Sequence, residues 1–293
     1  MRIMTSNIWG DYFDNPTRGR DDNLYRVYKK YSPDVIGFQE VTRGWYKSSL
    51  FERLRGEYYF VGMDGFDCNN YVPLAIKKDI CLIDSGFEYL KDTPDSSKAI
   101  TWAVVKQNGV VIGLCNTHFW WKRGDASQAV DLSADPKGSN GEVHCMLRIK
   151  NARQLTQLMK EIGGKYLCPV FAFGDMNATV TEGIFEVYNQ NGIKNLIDIS
   201  EKKDTACSIH GDPVKDENGV FHGEIASDDY IASLRREMLL PQMENCEGCF
   251  SSIDHIIGLG ERFIVEQYRV IEDKQALDAT DHSPVYADIS FQI

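Results

Sequence analysis

The chain has 293 residues, enough for one large domain or two small ones, and its 43% hydrophobic and 26% charged residues are typical of a soluble globular protein. The net charge of −11 disfavours nucleic acid as the main partner, because that binding depends on Lys and Arg, although a local basic patch could coexist with it. No apolar run approaches the roughly 18 residues that span a bilayer. Met1 leads into strand-like sequence without a signal peptide, so we expect a cytoplasmic location, or secretion if a signal peptide has been removed.

The first part of the chain predicts two strands on either side of a helix. Residues 2–9 form an apolar run that includes the polar Asn7 near its end, and residues 34–41 form a second run that carries Glu40 near its end. Between them, residues 23–31 have apolar side chains at helical spacing. Each predicted strand therefore closes with a residue that can bind a metal ion or a proton.

A β-hairpin is predicted in the middle of the chain. Residues 60–88 hold short strands, and they are followed by two apolar runs at 100–106 and 110–117. Asn108-Gly109 joins these runs, and Asn-Gly is the strongest short signal for a two-residue hairpin turn. The second strand of the hairpin ends at His118.

A helix is predicted over residues 144–162, and a buried strand follows it within residues 169–178. The strand breaks at Gly174 and then presents Asp175 and Asn177. Side chains two residues apart on an extended backbone point the same way, so these two could act on one spot at the rim of a sheet. The competing interpretation is a simple turn, because Gly-Asp and Asn are ordinary turn residues.

The last part of the chain alternates predicted helices, loop and strands. A short helix is predicted to begin at the N-cap Thr181 and to end at Gly192. Residues 204–226 predict a loop and residues 228–240 a further helix. Strands are predicted at 252–259, 262–270 and 285–291.

Six strand ends carry polar residues able to bind a metal ion or a proton. They are Asn7, Glu40, His118, Asp175 with Asn177, Asp254, and Asp281 with His282. Any one of them has an ordinary explanation, such as a charge at a strand end or a histidine in the core. Six of them along the whole chain indicate one shared site. The many short strands and about four helices also predict two packed sheets with helices outside.

The motifs around these residues resemble those of the endonuclease/exonuclease/phosphatase superfamily. They are SNIWG at 6–10, FQEV at 38–41, NTHF at 116–119, GDMNA at 174–178, SIDHI at 252–256 and TDHSPV at 280–285. They follow the family's order and span residues 6–285, so the resemblance covers essentially the whole chain. It implies a single domain over residues 1–293, an α/β fold arranged as a four-layered α/β/β/α sandwich of two mixed sheets, and Mg²⁺- or Mn²⁺-dependent hydrolysis of phosphoesters.

The metal-binding roles follow from the resemblance and from the chemistry of the side chains. Asn7 and Glu40 offer hard oxygen ligands, which suit Mg²⁺ bound by one or two carboxylates with several waters retained. Asp281 would bind the metal or its water shell. Ile8-Trp9 stands where some relatives place another acidic residue, so the sequence leaves the number of metals open.

The sequence leaves open which residue is the general base, His282 or Asp175. Asp254 would fix the tautomer of His282, which would act as a general base toward water or as a cation that stabilises phosphate. Asp175 and Asn177 would orient the attacking water, with Asp175 the competing candidate for the base. His118 would donate to a non-bridging oxygen or to the leaving group. His118 stands where the abasic-site enzymes have Tyr, which favours the phosphatase and sphingomyelinase-like branch, and the lack of a Ser or Cys nucleophile motif favours direct attack by water.

The expected substrate is a phosphorylated small molecule or a lipid-headgroup-like phosphoester. The candidate substrate contacts are Arg20, Trp120, Lys122 and Arg123. An aromatic ring can stack on a substrate and a basic side chain can hold a phosphate, although an aromatic strand end with a solvated basic tip explains the second group equally well. A nuclease is the runner-up, and a non-catalytic binding module on the same fold is less favoured.

A zinc-like spacing also occurs in the second half of the chain. It comprises Cys207, His210, Cys246 and Cys249. This pattern could hold structural zinc. Packing cysteines in a reduced protein are the more ordinary explanation, and such pattern matches are often false.

Overall fold

Two six-stranded mixed sheets form the centre of the protein, and helices lie against the outer face of each. The computed structural model describes residues 1–10, 15–62, 70–93, 97–121, 142–204, 206–231 and 252–292. The strands are β1 Arg2–Asn7, β2 Val35–Gln39, β3 Tyr58–Val61, β4 Leu74–Lys77, β5 Cys81–Tyr89, β6 Ala99–Gln107, β7 Val110–His118, β8 Val170–Asp175, β9 Lys194–Asn195, β10 Val214–Lys215, β11 Phe221–His222, β12 Asp254–Leu259, β13 Phe263–Val270 and β14 Val285–Phe291. The helices are α1 Asp21–Tyr31, α2 Ser49–Leu54, α3 Glu142–Tyr166, α4 Gly183–Gln190, α5 Leu196–Ile199 and α6 Lys274–Leu277, with a 3₁₀ helix at Arg43–Lys47.

The first sheet has the strand order β13-β14-β1-β2-β4-β3, and the second sheet has the order β5-β6-β7-β8-β12-β9. Each sheet contains one parallel pair near its centre, β1 with β2 and β7 with β8, while the other pairs are antiparallel. The carboxyl ends of β1 and β2 therefore meet at one rim of the first sheet, and those of β7 and β8 meet at one rim of the second.

Three apolar clusters separate the layers and account for the four-layered arrangement. The central cluster lies between the sheets and includes Ile3, Leu114 and Phe171. A second cluster packs α3 and α4 on the second sheet, with Met159 at its centre. A third packs α1 and α2 on the first sheet around Trp45. Because each helix buries only one face, the predicted α/β/β/α sandwich is confirmed.

A buried polar network aligns the two sheets just beneath the rim that carries the site. Asn116 of β7 donates through Nδ2 to the carbonyl oxygens of Phe38, Val72 and Pro73 at 2.8, 2.9 and 3.0 Å. Its Oδ1 accepts a 2.7 Å hydrogen bond from Gln39 Nε2 of the first sheet. Such a satisfied network specifies one relative position of the sheets, because a shift would leave buried polar groups unpaired.

The predicted hairpin is confirmed, with Asn108 and Gly109 both in the left-handed region at φ 50° and 87°. The predicted cap of α4 is wrong: Glu182 is the N-cap residue, and the Thr181 hydroxyl pairs with Thr179 instead. The 204–226 segment, predicted as loop, contains the small hairpin β10–β11.

The sequence pattern missed several short helices, and one predicted helix lies only partly within the described residues. The 3₁₀ helix, α2, α5 and α6 are too short to show a clear apolar period. Of the helix predicted at 228–240, residues 228–231 are helical and the remainder lies outside the described residues. None of the helices in the described ranges is long and apolar enough to cross a bilayer.

Candidate active site

Strand register in the second sheet places three of the candidate residues side by side. His118 of β7 is paired with Asp175 of β8, and Asp175 is paired with Asp254 of β12. All three are nearly fully buried. Asp254 begins its strand instead of ending it, and it reaches the same rim because β12 runs antiparallel to β8.

The first sheet contributes Asn7 and Glu40 to the same place. Asn7, the last residue of β1, donates from Nδ2 to Asp175 Oδ2 over 3.1 Å. Glu40 follows β2, and its carboxylate lies within 4.8 Å of ligand atoms of His118 and Asp175. The rims of the two sheets therefore meet at Asp175, which touches residues from both.

Asp254 and His282 form a close pair, with His282 Nδ1 2.8 Å from Asp254 Oδ2. Ser208 adds a third member, because its hydroxyl donates to the same Oδ2 over 2.8 Å. The Ser208 oxygen also accepts from the backbone N–H groups of Ile253 and Asp254 at 3.1 and 3.2 Å. With those amides pointing at its lone pairs, the hydroxyl can direct its single proton only to Asp254.

Asp175 is the most highly connected carboxylate of the site. Its Oδ1 accepts from the backbone N–H of Asn177 at 2.9 Å, and its Oδ2 lies 3.4 Å from His118 Nε2 and 3.9 Å from His282 Nε2. Burial alone would raise the pKa of Asp175. The neighbouring His118, His282 and Lys98 side chains and the amide hydrogen bond together hold that pKa below its ordinary value, so Asp175 is an anion at neutral pH.

The backbone at the rim adopts conformations that side-chain-bearing residues rarely use. Glu40 and Asn177 have φ of 59° and 50°. Gly174, at φ 151°, leaves no room for a side chain, since a Cβ there would lie 1.9 Å from the Thr117 carbonyl oxygen. Left-handed non-glycine residues cost free energy, so the surrounding structure must hold Glu40 and Asn177 in these conformations.

The buried carboxylates fit a divalent cation. Burial raises the pKa of Glu40 and raises that of Asp281 to about 7, and the charge of Glu40 adds to the second shift. Burial likewise raises the pKa of Asp254. Asp254 is buried and Glu40 and Asp281 are partly buried, and carboxylates withdrawn from water in one small region are costly unless a cation compensates them. Hard oxygen donors held together in this way are the ligands that Mg²⁺ or Mn²⁺ takes, so the residues present suit such an ion.

His118 and His282 have opposite electrostatic surroundings. Burial lowers the pKa of His118 to about 3, and the neighbouring Lys98 contributes to that shift. Burial would also lower the pKa of His282, yet the charge of Asp254 and those of two further aspartates raise it well above its ordinary value. At neutral pH the site therefore holds a neutral His118 and a protonated His282.

A cleft of about 710 Å³ opens over this cluster. Its base contains residues of the site, and its walls carry aromatic, hydroxyl and aliphatic side chains. The lining comprises Gly10, Glu40, Thr42, Tyr71, Ser97, Lys98, His118, Trp121, Asp175, Asn177, Ile209, Ile253 and His282. Lys98 is the one Lys or Arg in this lining among the residues that the structure describes.

Arg20 does not fit its predicted role as a substrate contact. Its guanidinium is buried and donates to the carbonyl oxygens of Ile8 at 2.9 Å, Trp9 at 2.8 Å and Pro16 at 2.5 Å, and also to that of Ala279. The side chain therefore ties the loop after β1 to the segment before β14. The prediction was wrong because a loop's composition does not show where a long side chain folds.

Trp120 is also buried, with 3% of its surface exposed, and it does not line the cleft. Its neighbour Trp121, 49% exposed, lines the cleft instead. Successive side chains on an extended backbone face opposite ways, so only one of the two rings could face the substrate. Lys122 and Arg123 lie outside the described residues.

The zinc pattern is only partly described. The Cys207 thiol donates to the Ile209 carbonyl oxygen over 3.0 Å. Both ring nitrogens of His210 are buried, and burial lowers the pKa of this imidazole to about 4. Cys246 and Cys249 lie outside the described residues, so the zinc site stays a prediction.

Sequence reasoning missed Lys98 and Ser208. Lys98 could have been found from the register of the predicted hairpin. If the pairing that begins at Gln107 and Val110 is extended along both strands, Lys98 lies opposite Phe119, next to His118. Ser208 lies on a loop and meets Asp254 only through tertiary contacts, so no periodic signal points to it.

Comparison with known proteins identifies a family that covers most of the chain. A family model described as the Endonuclease/Exonuclease/phosphatase family matches residues 4–257. No curated protein sequence matches this chain.

Solved structures share the fold at low sequence identity. The endonuclease/exonuclease/phosphatase from Bacteroides vulgatus is 23% identical with a TM-score of 0.67, covering 99% of this chain and 98% of that one. A Bacteroides thetaiotaomicron mannosyl-6-phosphatase is 16% identical with a TM-score of 0.63, covering 99% of this chain and 100% of that one. The human Nocturnin catalytic domain with bound sulfate is 15% identical with a TM-score of 0.63, covering 100% of this chain and 94% of that one.

Proposed function

The chain belongs to the endonuclease/exonuclease/phosphatase family of phosphoester hydrolases, and we propose that it hydrolyses a small or medium phosphorylated substrate with Mg²⁺ or Mn²⁺. The observation that carries this proposal is the meeting of Asn7 and Glu40 with His118, Asp175 and the Asp254–His282 pair at the base of one cleft. A non-catalytic binding module has no need of several buried carboxylates at one point, since each costs free energy when unpaired.

Asn7, Glu40 and Asp281 are the residues that would hold the metal ion. When bound, Mg²⁺ or Mn²⁺ would polarise a phosphoryl oxygen and neutralise charge that develops in the transition state. The raised pKa values of Glu40 and Asp281 support this assignment, because a cation would reverse the unfavourable burial of both carboxylates.

Asp175, Asn177 and His282 would act on the attacking water. Asp175 is an anion beside His282, and its carboxylate is fixed by the Asn177 amide at 2.9 Å, so it can hold a water molecule in one orientation. His282 would take the proton of that water as the base, or, while protonated, stabilise the phosphate. Asp254 would orient the ring in either role through its 2.8 Å contact with Nδ1.

The walls of the cleft favour a compact substrate with one phosphoryl group. The half-exposed Trp121 and the Tyr71 ring offer apolar faces, and Lys98 supplies one positive charge in the described lining. A substrate with several phosphates would need more cations there. The mannosyl-6-phosphatase among the structural relatives is consistent with such a substrate, although at 16% identity it shows the fold alone.

A nuclease is the second candidate. A family model whose description includes endonucleases and exonucleases matches this chain, and a nucleic-acid backbone is a phosphodiester. The net charge of −11 makes long nucleic acids a poor fit, because their binding depends on many contacts between basic residues and phosphates.

Phosphate release from a panel of phosphoesters tests the proposal. The panel should include p-nitrophenyl phosphate, bis-p-nitrophenyl phosphate, sugar phosphates, a phosphorylated lipid headgroup and an oligonucleotide, each with Mg²⁺, with Mn²⁺ and with EDTA. We expect metal-dependent hydrolysis of at least one small ester and loss of that activity in EDTA. The variant Asp175→Asn serves as the inactive control. Equal rates in wild type and this variant, or hydrolysis of the oligonucleotide alone, would contradict the proposal.

A further inference from the structure

A buried lysine lies against His118 at the base of the cleft. Lys98 Nζ is 2.8 Å from His118 Nε2, and the two residues are only 3% and 5% exposed. Both line the cleft. Lys98 is held at the start of β6, where its carbonyl oxygen accepts a 2.9 Å hydrogen bond from the Leu90 N–H. The backbone of Lys98 is therefore held by this hydrogen bond, and its side chain is buried and not free in solvent.

The donor inventory of this contact decides which partner carries the proton. Lys98 acts as a positive charge on Glu40 and Asp175. A charged lysine ammonium group has three N–H donors and no acceptor, so with Lys98 charged the ring nitrogen 2.8 Å away accepts. His118 Nε2 is then unprotonated and is also the nitrogen nearest to Asp175 Oδ2, at 3.4 Å. In this arrangement His118 has no proton on the side that faces the reacting groups, and the positive charge belongs to Lys98.

The surroundings of Lys98 suit a group that meets an anion. The charge of Lys98 lowers the pKa of Asp175 and opposes the rise in the pKa of Glu40, so its positive charge acts at the rim where the substrate would bind. The lining of the cleft, within the described ranges, has no other Lys or Arg. Within the described lining, a phosphoryl group that entered this cleft would therefore meet positive charge at Lys98 and at His282, which lies just before β14.

We propose that Lys98 contacts a non-bridging oxygen of the phosphoryl group, and that neutral His118 positions Lys98 and does not protonate the leaving group. This inference rests on the proposed function and changes the role predicted for His118 from its motif. During hydrolysis one water adds to phosphorus and gives a proton to the base of the site, His282 or Asp175, while the bond to the leaving oxygen breaks. The leaving oxygen takes its proton from solvent, and Lys98 keeps its protons throughout. The effect of Lys98 is charge stabilisation by a pre-positioned donor.

The two roles for His118 differ in their dependence on the leaving group. A general acid matters most for an ester with a poor leaving group, whereas a charge on the phosphoryl oxygens matters for every ester. Hydrolysis of p-nitrophenyl phosphate and phenyl phosphate should therefore be compared in wild type, Lys98→Met, His118→Asn and the double variant. The probe esters differ little in shape and much in the stability of the released phenolate.

We expect Lys98→Met to lower kcat/KM for both esters by a similar factor, about 10² to 10³. His118→Asn should lower both rates by a smaller common factor of roughly 10, and the double variant should match Lys98→Met, because His118 acts through Lys98. Lys98→Arg should recover part of the activity. Lys160→Met, which removes an exposed lysine on α3 that bonds Asn191, is the control for the loss of one charge.

A slower rate for phenyl phosphate alone in His118→Asn would assign His118 as the acid and overturn the inference. Full activity in Lys98→Met with a lowered melting temperature would make Lys98 a structural counter-ion, which also overturns it. Binding of inorganic phosphate, measured by calorimetry with Mg²⁺ present, tests the contact with Lys98 without requiring turnover. If wild type hydrolyses neither ester, the proposed function fails for these probes. In that case a loss of phosphate affinity of about tenfold or more in Lys98→Met supports the proposed contact between Lys98 and the phosphoryl group. Unchanged affinity contradicts it.

Discussion

Asp254 begins β12 of the second sheet and His282 lies just before β14 of the first, and yet their side chains meet in a 2.8 Å hydrogen bond between Oδ2 and Nδ1. The contact joins β12 of the second sheet to the segment before β14 of the first. Both side chains are buried, with 2% and 5% exposed. The pair therefore depends on the packing of the two sheets, and it couples the protonation of His282 to the fold.

Asp254→Asn should move the pH dependence of hydrolysis. The Asp254 charge is the largest contribution that raises the pKa of His282, so its loss lowers that pKa. If His282 is the base, the raised pKa keeps it protonated until alkaline pH, and the variant's acid limb should shift to lower pH while kcat falls. Rates across the pH range with p-nitrophenyl phosphate measure this. An alkaline limb that shifts to lower pH would identify His282 as the stabilising cation, and a profile that does not move would remove both roles.

Ser208→Ala should weaken both the fold and the reaction. The variant loses the 2.8 Å hydrogen bond to Asp254 Oδ2 and leaves two backbone N–H groups without their acceptor. Unsatisfied buried polar groups cost about 1–3 kcal/mol each, so with two such groups the free energy of unfolding should fall by about 2–6 kcal/mol. We expect kcat to fall about tenfold with KM nearly unchanged, because a less fixed carboxylate orients His282 less well.

Ser208→Thr is the matched control, since it keeps the hydroxyl group. It should retain most of the wild-type kcat. Equal losses of kcat in Ser208→Ala and Ser208→Thr would mean that packing at this position matters and the hydroxyl does not.

Arg20→Met should destabilise the protein without a specific loss of substrate affinity. The guanidinium serves the carbonyl groups of Ile8, Trp9, Pro16 and Ala279, and Met keeps the apolar stem while it removes these donors. We expect a loss of about 2–4 kcal/mol in the free energy of unfolding, measured by urea titration. KM of the folded fraction should change less than about twofold, since Arg20 does not line the cleft. A large increase in KM at unchanged stability would return Arg20 to the substrate site.

Much of this arrangement could be predicted because strand ends are regular. Asn7, Glu40 and Asp175 each close an apolar run, and the pairing of strands then fixes which ends are neighbours. Side chains that act through loops or through long stems follow no such period. Ser208 and Arg20 therefore escaped correct assignment, one missed and the other misplaced.

The adjacent tryptophans show the same limit at a finer scale. The sequence indicates an aromatic contact after His118, but Trp120 is buried and Trp121 faces the cleft. Which of two neighbours turns inward depends on the strand's orientation relative to the sheet, and a shift of one residue exchanges them.

Duplex DNA should bind weakly at physiological salt. The net charge of −11 opposes the phosphate backbone, and nonspecific binding depends on the number of basic residues that contact it. Fluorescence anisotropy with a labelled duplex over a range of salt concentrations measures the affinity. Plasmid nicking by protein from a nuclease-free host measures cleavage. Plasmid cleavage that is faster than hydrolysis of every small ester would reverse the ranking of substrates.

Glu40 is the central carboxylate of the proposed metal site. Burial raises the pKa of Glu40, so without a cation its charged form opposes folding at neutral pH. Glu40→Gln removes that charge and should leave the metal-free protein at least as stable as wild type. A metal that binds only the native state raises the melting temperature, so the wild-type protein should gain stability with Mg²⁺ and the variant should not.

The most direct test is therefore a melting curve with increasing Mg²⁺, measured for wild type and Glu40→Gln together with phosphate release from p-nitrophenyl phosphate. We predict that Mg²⁺ raises the melting temperature of wild type only, and that the variant loses at least about 10² of kcat/KM while it stays folded. Equal stabilisation of both proteins by Mg²⁺, with equal rates of phosphate release, would contradict the assignment of Glu40 and of this cleft as the metal-dependent site.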